Sequence, residues 1–323
     1  MDWQTVVAHH ARTQGWDEAR QRKLLALDDL GQPPAALQAH GPLALLGLAG
    51  LLVGLGLIFT VAAQWAELSR AQQFALLQAG VAAGALGVVA WPGLRMPLGL
   101  LSLLAMGGLL AYFGQTYQTG ADPWQLFALW AALGLPLALG VRADTLWSAW
   151  TLVAATAIAL WMAAHTGHRW RADPDDLAVH LIGWSAALAL VLALGSTPGR
   201  RLGVGLWARR LGATLAVFLV TSSATWALFS QRPALQVVLA LAVLALAAWA
   251  AARPATFDLF TLSAAALGLN VVLVGGLGRW LFHGATGGNG MGEFLLLGLV
   301  AAGLLAATVS GVLRLARRAG SAA

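Results

Sequence analysis

The chain's only two tyrosines lie five residues apart, at the start of the stretch 112–136, YFGQTYQTGADPWQLFALWAALGLP. Within it stand Gln115, Thr116, Tyr117, Gln118, Asp122, Trp124 and Trp130. Amide and phenol groups supply donors and acceptors without net charge. Such a set can hold a sugar, a lipid headgroup or a polar peptide, and the same set can cap two helices at a membrane interface. Gln115, Tyr117, Gln118, Asp122 and Trp130 are the candidate ligand-binding residues on this reading.

Imidazoles are the second group. His165, His168 and His180 fall near Asp173, Asp175 and Asp176, with His283 distant in sequence. Imidazole and carboxylate together suit zinc, yet a His-x2-His pair is a poor ligand set, so the default is a solvated polar loop. The adjacent pair His9 and His10 reads as exposed tail. The chain has no cysteine, which removes disulfides, thiolate metal sites and cysteine nucleophiles. It carries no G-x-S-x-G, H-E-x-x-H or P-loop string. Glu67 and Asp122 could act as paired acids only if the fold brought them together. No catalytic residue, cofactor or metal is assigned.

The elements that must position these residues are apolar. Hydrophobic residues make up 59% of the 323-residue chain and charged residues 10%, against about 25% charged in a typical soluble domain. Ten stretches of about 20 apolar residues can be drawn: roughly 43–63, 72–91, 97–117, 123–141, 145–164, 177–195, 211–230, 234–252, 257–278 and 293–313. Helices satisfy their own backbone hydrogen bonds in lipid, and the runs do not alternate as barrel strands do. The expected fold is all-α, a polytopic transmembrane helix bundle of about ten spans. A short helical N-terminal region (1–40) precedes a first membrane half (41–165) and a second (166–323). The residues before 40 are polar and do not form a signal peptide.

Fourteen of the 19 Lys and Arg residues fall on one side of this scheme, so both termini are expected in the cytoplasm of a bacterial inner membrane. The net charge of +6 is distributed between spans rather than gathered on a face, which argues against nucleic acid. The partners expected are the bilayer and a further membrane protein; oligomeric state is not legible.

Ionisable groups are missing from the middle of every span, which disfavours a pump driven through a buried carboxylate. Asp258 is the nearest, and helix-end placement is its expected role. Asn270 needs a partner in hydrocarbon. The hydroxyl cluster Thr221, Ser222, Ser223 and Thr225 reads as packing, as do Gly50-x3-Gly54 and Gly80-x3-Gly84. Pro136 should kink the fourth span. A weak echo between residues 125–135 and 258–269 raises an inverted repeat of two five-helix halves.

Several strings occur together: Gln64-Trp65 then Glu67 after a glycine-rich first span, Gly114-Gln115-x-Tyr117-Gln118, Asp122-Pro123, and Leu126-Phe127-x-x-Trp130. With them, residues 1–165 resemble the bacterial membrane proteins grouped as domain of unknown function 2157. The resemblance implies fold and membrane location and brings no activity. The function expected is non-enzymatic transport or binding of a small polar or amphiphilic solute. A scaffold or assembly factor of an envelope complex is the alternative, and a lipid-modifying enzyme comes third.

Overall fold

The computed structural model describes residues 13, 17, 35–63, 67–117, 120–167, 174–230, 235–283 and 291–320. Among them the structure is helical: α1 (Ala35–Ala63), α2 (Arg70–Ala90), α3 (Arg95–Tyr117), α4 (Pro123–Val141), α5 (Asp144–His165), α6 (Leu177–Gly195), the short α7 (Thr197–Arg201), α8 (Leu206–Leu228), α9 (Leu235–Ala252), α10 (Leu259–His283) and α11 (Met291–Gly320). Nine helical stretches, from α2 to α11 without α7, are long and apolar enough to cross a membrane. The first helix, 29 residues long, contains the further apolar segment Ala44–Gly56. The chain is therefore an all-α polytopic bundle.

Sequence marks most of the helix ends. Ser69 caps α2 in a reciprocal box, its hydroxyl accepting from the Gln72 amide while the Gln72 side chain accepts from the Ser69 amide; this satisfies two otherwise orphan donors. Pro123 opens α4, where its missing N–H costs nothing. Four boundaries differ from the sequence expectation by five residues or more: α8 begins at Leu206 rather than 211, α10 ends at His283 rather than 278, and the first and last helices are longer. The first helix begins at Ala35 rather than 43, running through Pro42, whose ring removes one intrahelical bond and crowds the carbonyl four residues before it. The last helix continues past 313 to Gly320, carrying Arg314, Arg317 and Arg318 on a helical extension beyond the apolar run.

Packing is organised around two helices. In the first half α3 lies against α1, α2, α4 and, more lightly, α5. Small residues permit this. A Cβ on Gly50 would sit 2.6 Å from Pro97, one on Gly54 2.8 Å from Leu104, and one on Gly84 2.7 Å from Ser102, so the backbones approach closely, as in lipid-embedded helix pairs. In the second half α8 is the hub, in contact with α5, α6, α9 and α10. The hub is thus the third span of one half and the second of the other, so the halves do not share the contact pattern an inverted repeat would give.

Several polar side chains inside the bundle join neighbouring helices. Asn270 of α10 donates to the Thr308 hydroxyl of α11 at 3.1 Å, and that hydroxyl is 3.2 Å from Asn270 Oδ1. This is the partner that an amide in hydrocarbon requires. Trp184 Nε1 donates to Ser223 Oγ at 3.1 Å, tying α6 to α8. Ser102 Oγ donates to Val81 O across α2 and α3.

Candidate functional site

At the end of the bundle where α3 stops and α4 starts, α2 contributes Gln73, which is 3% exposed. The Tyr112 hydroxyl donates to Gln73 Oε1. Phe74 covers this pair, its ring 4.7 Å from that of Tyr112 and 5.9 Å from that of Tyr117. Phe113 and Tyr117, one turn apart, have ring centroids 4.8 Å apart in a tilted arrangement. The sequence reading did not single out Gln73. The available signal was a glutamine pair, Gln72-Gln73, at the start of an apolar helix, where one amide caps and the other turns inward.

The proposed group divides on inspection. Tyr117 joins the aromatic cluster on α2 while remaining 59% exposed. Gln115 is exposed and stands two residues earlier on the same helix, and positions i and i+2 do not face each other. Asp122 occupies the N-cap position of α4 with extended backbone; its carbonyl accepts from the Gln125 amide, and its carboxylate makes no capping bond. Trp130 lies deeper. Its indole N–H donates to Leu103 O at 2.9 Å and its ring lies over Gly107. Gln118 lies outside the described residues.

His165 is exposed, with its ring 4.4 Å from that of Trp161 and 6.1 Å from that of Trp124. His180 is buried, with Nδ1 2.9 Å from Asp176 O. No group of three or more His, Cys, Asp or Glu side chains placed to hold a metal ion occurs among the described residues. His168, Asp173, His9, His10, Gln64 and Trp65 lie outside them. Glu67 is exposed in the turn before α2.

At the opposite end of the bundle the sequence reading missed an interlock. Asp144, the first residue of α5, accepts three backbone N–H bonds from the start of α8: Gly205 and Ala208 to Oδ1, both at 3.0 Å, and Trp207 to Oδ2 at 2.9 Å. A carboxylate from another helix thereby supplies the N-terminal cap that α8 lacks locally. Trp147 Nε1 donates to Leu202 O at 2.9 Å beside it.

Next to that interlock is a groove of about 450 Å³, within the roughly 300–1,000 Å³ range of ligand pockets. Both α6 and α9 pack on α8 and barely touch each other, so α8 forms the floor between them. The walls are apolar: Leu181 to Leu192 of α6, Ala213 to Val220 of α8, Val243 to Ala251 of α9. Thr256, Asp258 and Thr261 close the end nearest the interlock, and Ser185 stands midway. A smaller cavity of about 210 Å³ lies between α5, α6 and α8, sharing Ala187 and Ala216 with the groove.

Asp258 at the closed end is saturated. Arg210 donates to Oδ1 through Nε at 3.0 Å and Nη2 at 2.7 Å; Thr261 donates to Oδ2 through its amide at 3.1 Å and its hydroxyl at 2.7 Å. Burial raises its pKa, but the bonds from Arg210 and Thr261 and the guanidinium charge outweigh burial and hold it below the ordinary 3.8. A folded-state pKa lowered in this way adds stability that is fully present above about pH 4 and lost as pH falls through the lowered value. Thermal unfolding of detergent-solubilised protein from pH 6 to pH 3 should show a steeper loss for the native chain than for Asp258→Asn, which has no such proton to take up.

Helix length, apolarity and packing define the class: a polytopic α-helical membrane protein. Residues 11–147, less than half of the chain, match the model of a family described as "Predicted membrane protein (DUF2157)", the family that its motifs resemble. No curated protein and no solved structure matches the chain. The groove, made by α6, α8 and α9, lies outside the matched residues.

Proposed function

We propose that this chain is a non-enzymatic binding or transport protein for an amphiphilic solute, which it takes from the bilayer into the groove between α6 and α9. The observation that carries this reading is the division of that groove: an apolar length on three helices, ending at Thr256, Asp258 and Thr261. An amphiphile has the same division; a tail passing from lipid into an apolar groove gains no hydrophobic free energy, so packing and headgroup contacts set the binding. Leu188 and Leu192 on the rim are exposed, so entry is sideways, from lipid. With ten of the twelve Lys and Arg among the described residues on the side of the closed end, we place that end, and both termini, in the cytoplasm of a bacterial inner membrane.

The test fills the groove. Ala247 of α9 lines it, whereas Val238 of the same helix is exposed elsewhere. Displacement of a fluorescent 16-carbon alkyl probe from purified protein should be lost in Ala247→Trp and retained in Val238→Trp, with both variants melting near the native temperature. Equal probe binding by all three proteins would overturn the reading.

A further inference from the structure

We infer that the amphiphile has a single chain and an anionic headgroup, held by Arg209 at the closed end of the groove; this rests on the groove reading above. Length limits the tail. On α6 the groove extends from Leu181 to Leu192, eleven residues and so about 16 Å at 1.5 Å each. That is close to half of the roughly 30 Å hydrocarbon core, the depth of one leaflet and hence of one extended lipid chain. The volume of about 450 Å³ suits one tail rather than two.

Charge selects the headgroup. Asp258 is the acidic side chain lining the groove, and an ammonium head would have to bind there. Its two oxygens already receive four donors, and Arg210 neutralises its charge. A carboxylate accepts about four hydrogen bonds in all, so a cationic head would have to displace Arg210. Asp144, at a similar level, is occupied by three α8 amides. It belongs to α5, which packs on α8 and α6 and contributes no residue to the groove lining. Among the described residues at this end of the bundle, Arg209 forms no ion pair with a carboxylate, and neither do Arg200, Arg201 and Arg253.

Helical register puts Arg209 in the right place. Groove residues Ala213, Ala216 and Val220 of α8 stand four, seven and eleven positions after it, which is one helix face. Arg209 therefore continues the groove floor by one turn toward the closed end. It is half-buried, and its Nε donates to Gly205 O at 3.1 Å, which fixes the side chain by one donor of a five-donor fork. Neither Arg209 nor Arg253 lines the groove itself; Arg253, at the end of α9, is held on its own helix, its guanidinium carbon 3.5 Å from the ring centroid of Trp249, whereas Arg209 lies one turn beyond the lining residue Ala213. A phosphate or sulfate monoester head suits an arginine in this position.

The experiment uses the full chain in nonionic detergent and three 16-carbon competitors of the fluorescent alkyl probe: the alkyl phosphate, the neutral alcohol and the trimethylammonium salt. The phosphate should compete about tenfold better than the alcohol, a difference of about 1.4 kcal/mol, and the ammonium no better than the alcohol. Arg209→Gln should bring phosphate and alcohol within about threefold of each other while leaving the alcohol unchanged; Arg209→Lys should keep most of the preference. Melting temperatures identify any variant that fails to fold, and the salt dependence of the phosphate preference in native protein gives a readout independent of substitution. Equal competition by phosphate and alcohol, or a preference that survives Arg209→Gln, would overturn the headgroup assignment. With Ala247→Trp still blocking the probe, that result leaves the groove reading standing. Failure of every competitor to displace the probe would remove both.

Discussion

Asp144→Ala should lower the stability of the detergent-solubilised protein by several kcal/mol, the largest loss expected from any single polar side chain described above. Three amides at the start of α8 donate to this one carboxylate. Hydrogen bonds to a charged acceptor contribute about 1.5–3 kcal/mol each, and the negative charge also faces the positive end of the α8 dipole. No compensating cap exists locally: Gly205 holds the N-cap position and has no side chain to offer. Asp144→Asn should lose less, because its carbonyl oxygen still accepts while its amide faces the helix amides unfavourably. Asp144→Glu should lose nearly as much as alanine. A Cβ on Gly205 would already sit 2.4 Å from the Asp144 carboxylate, so there is no room for an added methylene. Thermal unfolding followed by loss of the monodisperse peak on size exclusion reads the order Ala, Glu, Asn, native. An Asp144→Ala protein that melts with the native one would show that α8 is held without this cap. Because α8 is the floor of the groove, the same variant should also release the alkyl probe.

How far the sequence reaches depends on the distance over which a side chain acts. Apolar length is a local property, so the helices and most of their ends could be read from it, and Asn270 could be named as an amide in need of a partner. Its partner, Thr308, could not, being 38 residues away. Asp144 was passed over for the same reason: its three donors are 61 to 64 residues downstream, and an aspartate at a helix start looks like an ordinary first-turn acid. The groove left less trace still. Its walls are alanines, leucines and valines in a chain made largely of them, and its existence follows from α6 and α9 diverging over α8. Asp258 was assigned to a helix end, which is where it lies, but nothing local to it announces Arg210. In the Tyr112–Trp130 region the residue types were informative and the register was not applied: Gln115 and Tyr117 share a motif and occupy different helix faces.

Gly107→Ala should be nearly as damaging, and it separates two roles for Trp130. A Cβ at Gly107 would lie 2.3 Å from Trp130 Cζ2 and 2.5 Å from Cη2, far inside contact distance. The indole cannot swing aside without breaking its 2.9 Å bond to Leu103 O. Leaving that N–H unpaired in an apolar interior costs about 1–3 kcal/mol, and overpacking adds a similar amount. Trp130→Phe alone removes the bond and part of the ring, with an expected loss of about 2–3 kcal/mol. The double variant should be more stable than the sum of the two losses implies, because the smaller ring makes room for the methyl group; coupling of about 1–2 kcal/mol is expected for side chains in direct contact. If Trp130 were instead a ligand contact, Trp130→Phe would change binding with little change in melting, and the two losses would add. Measured together, melting and binding of these three variants assign Trp130 either to the α3–α4 packing that holds the first half together or to recognition of a solute.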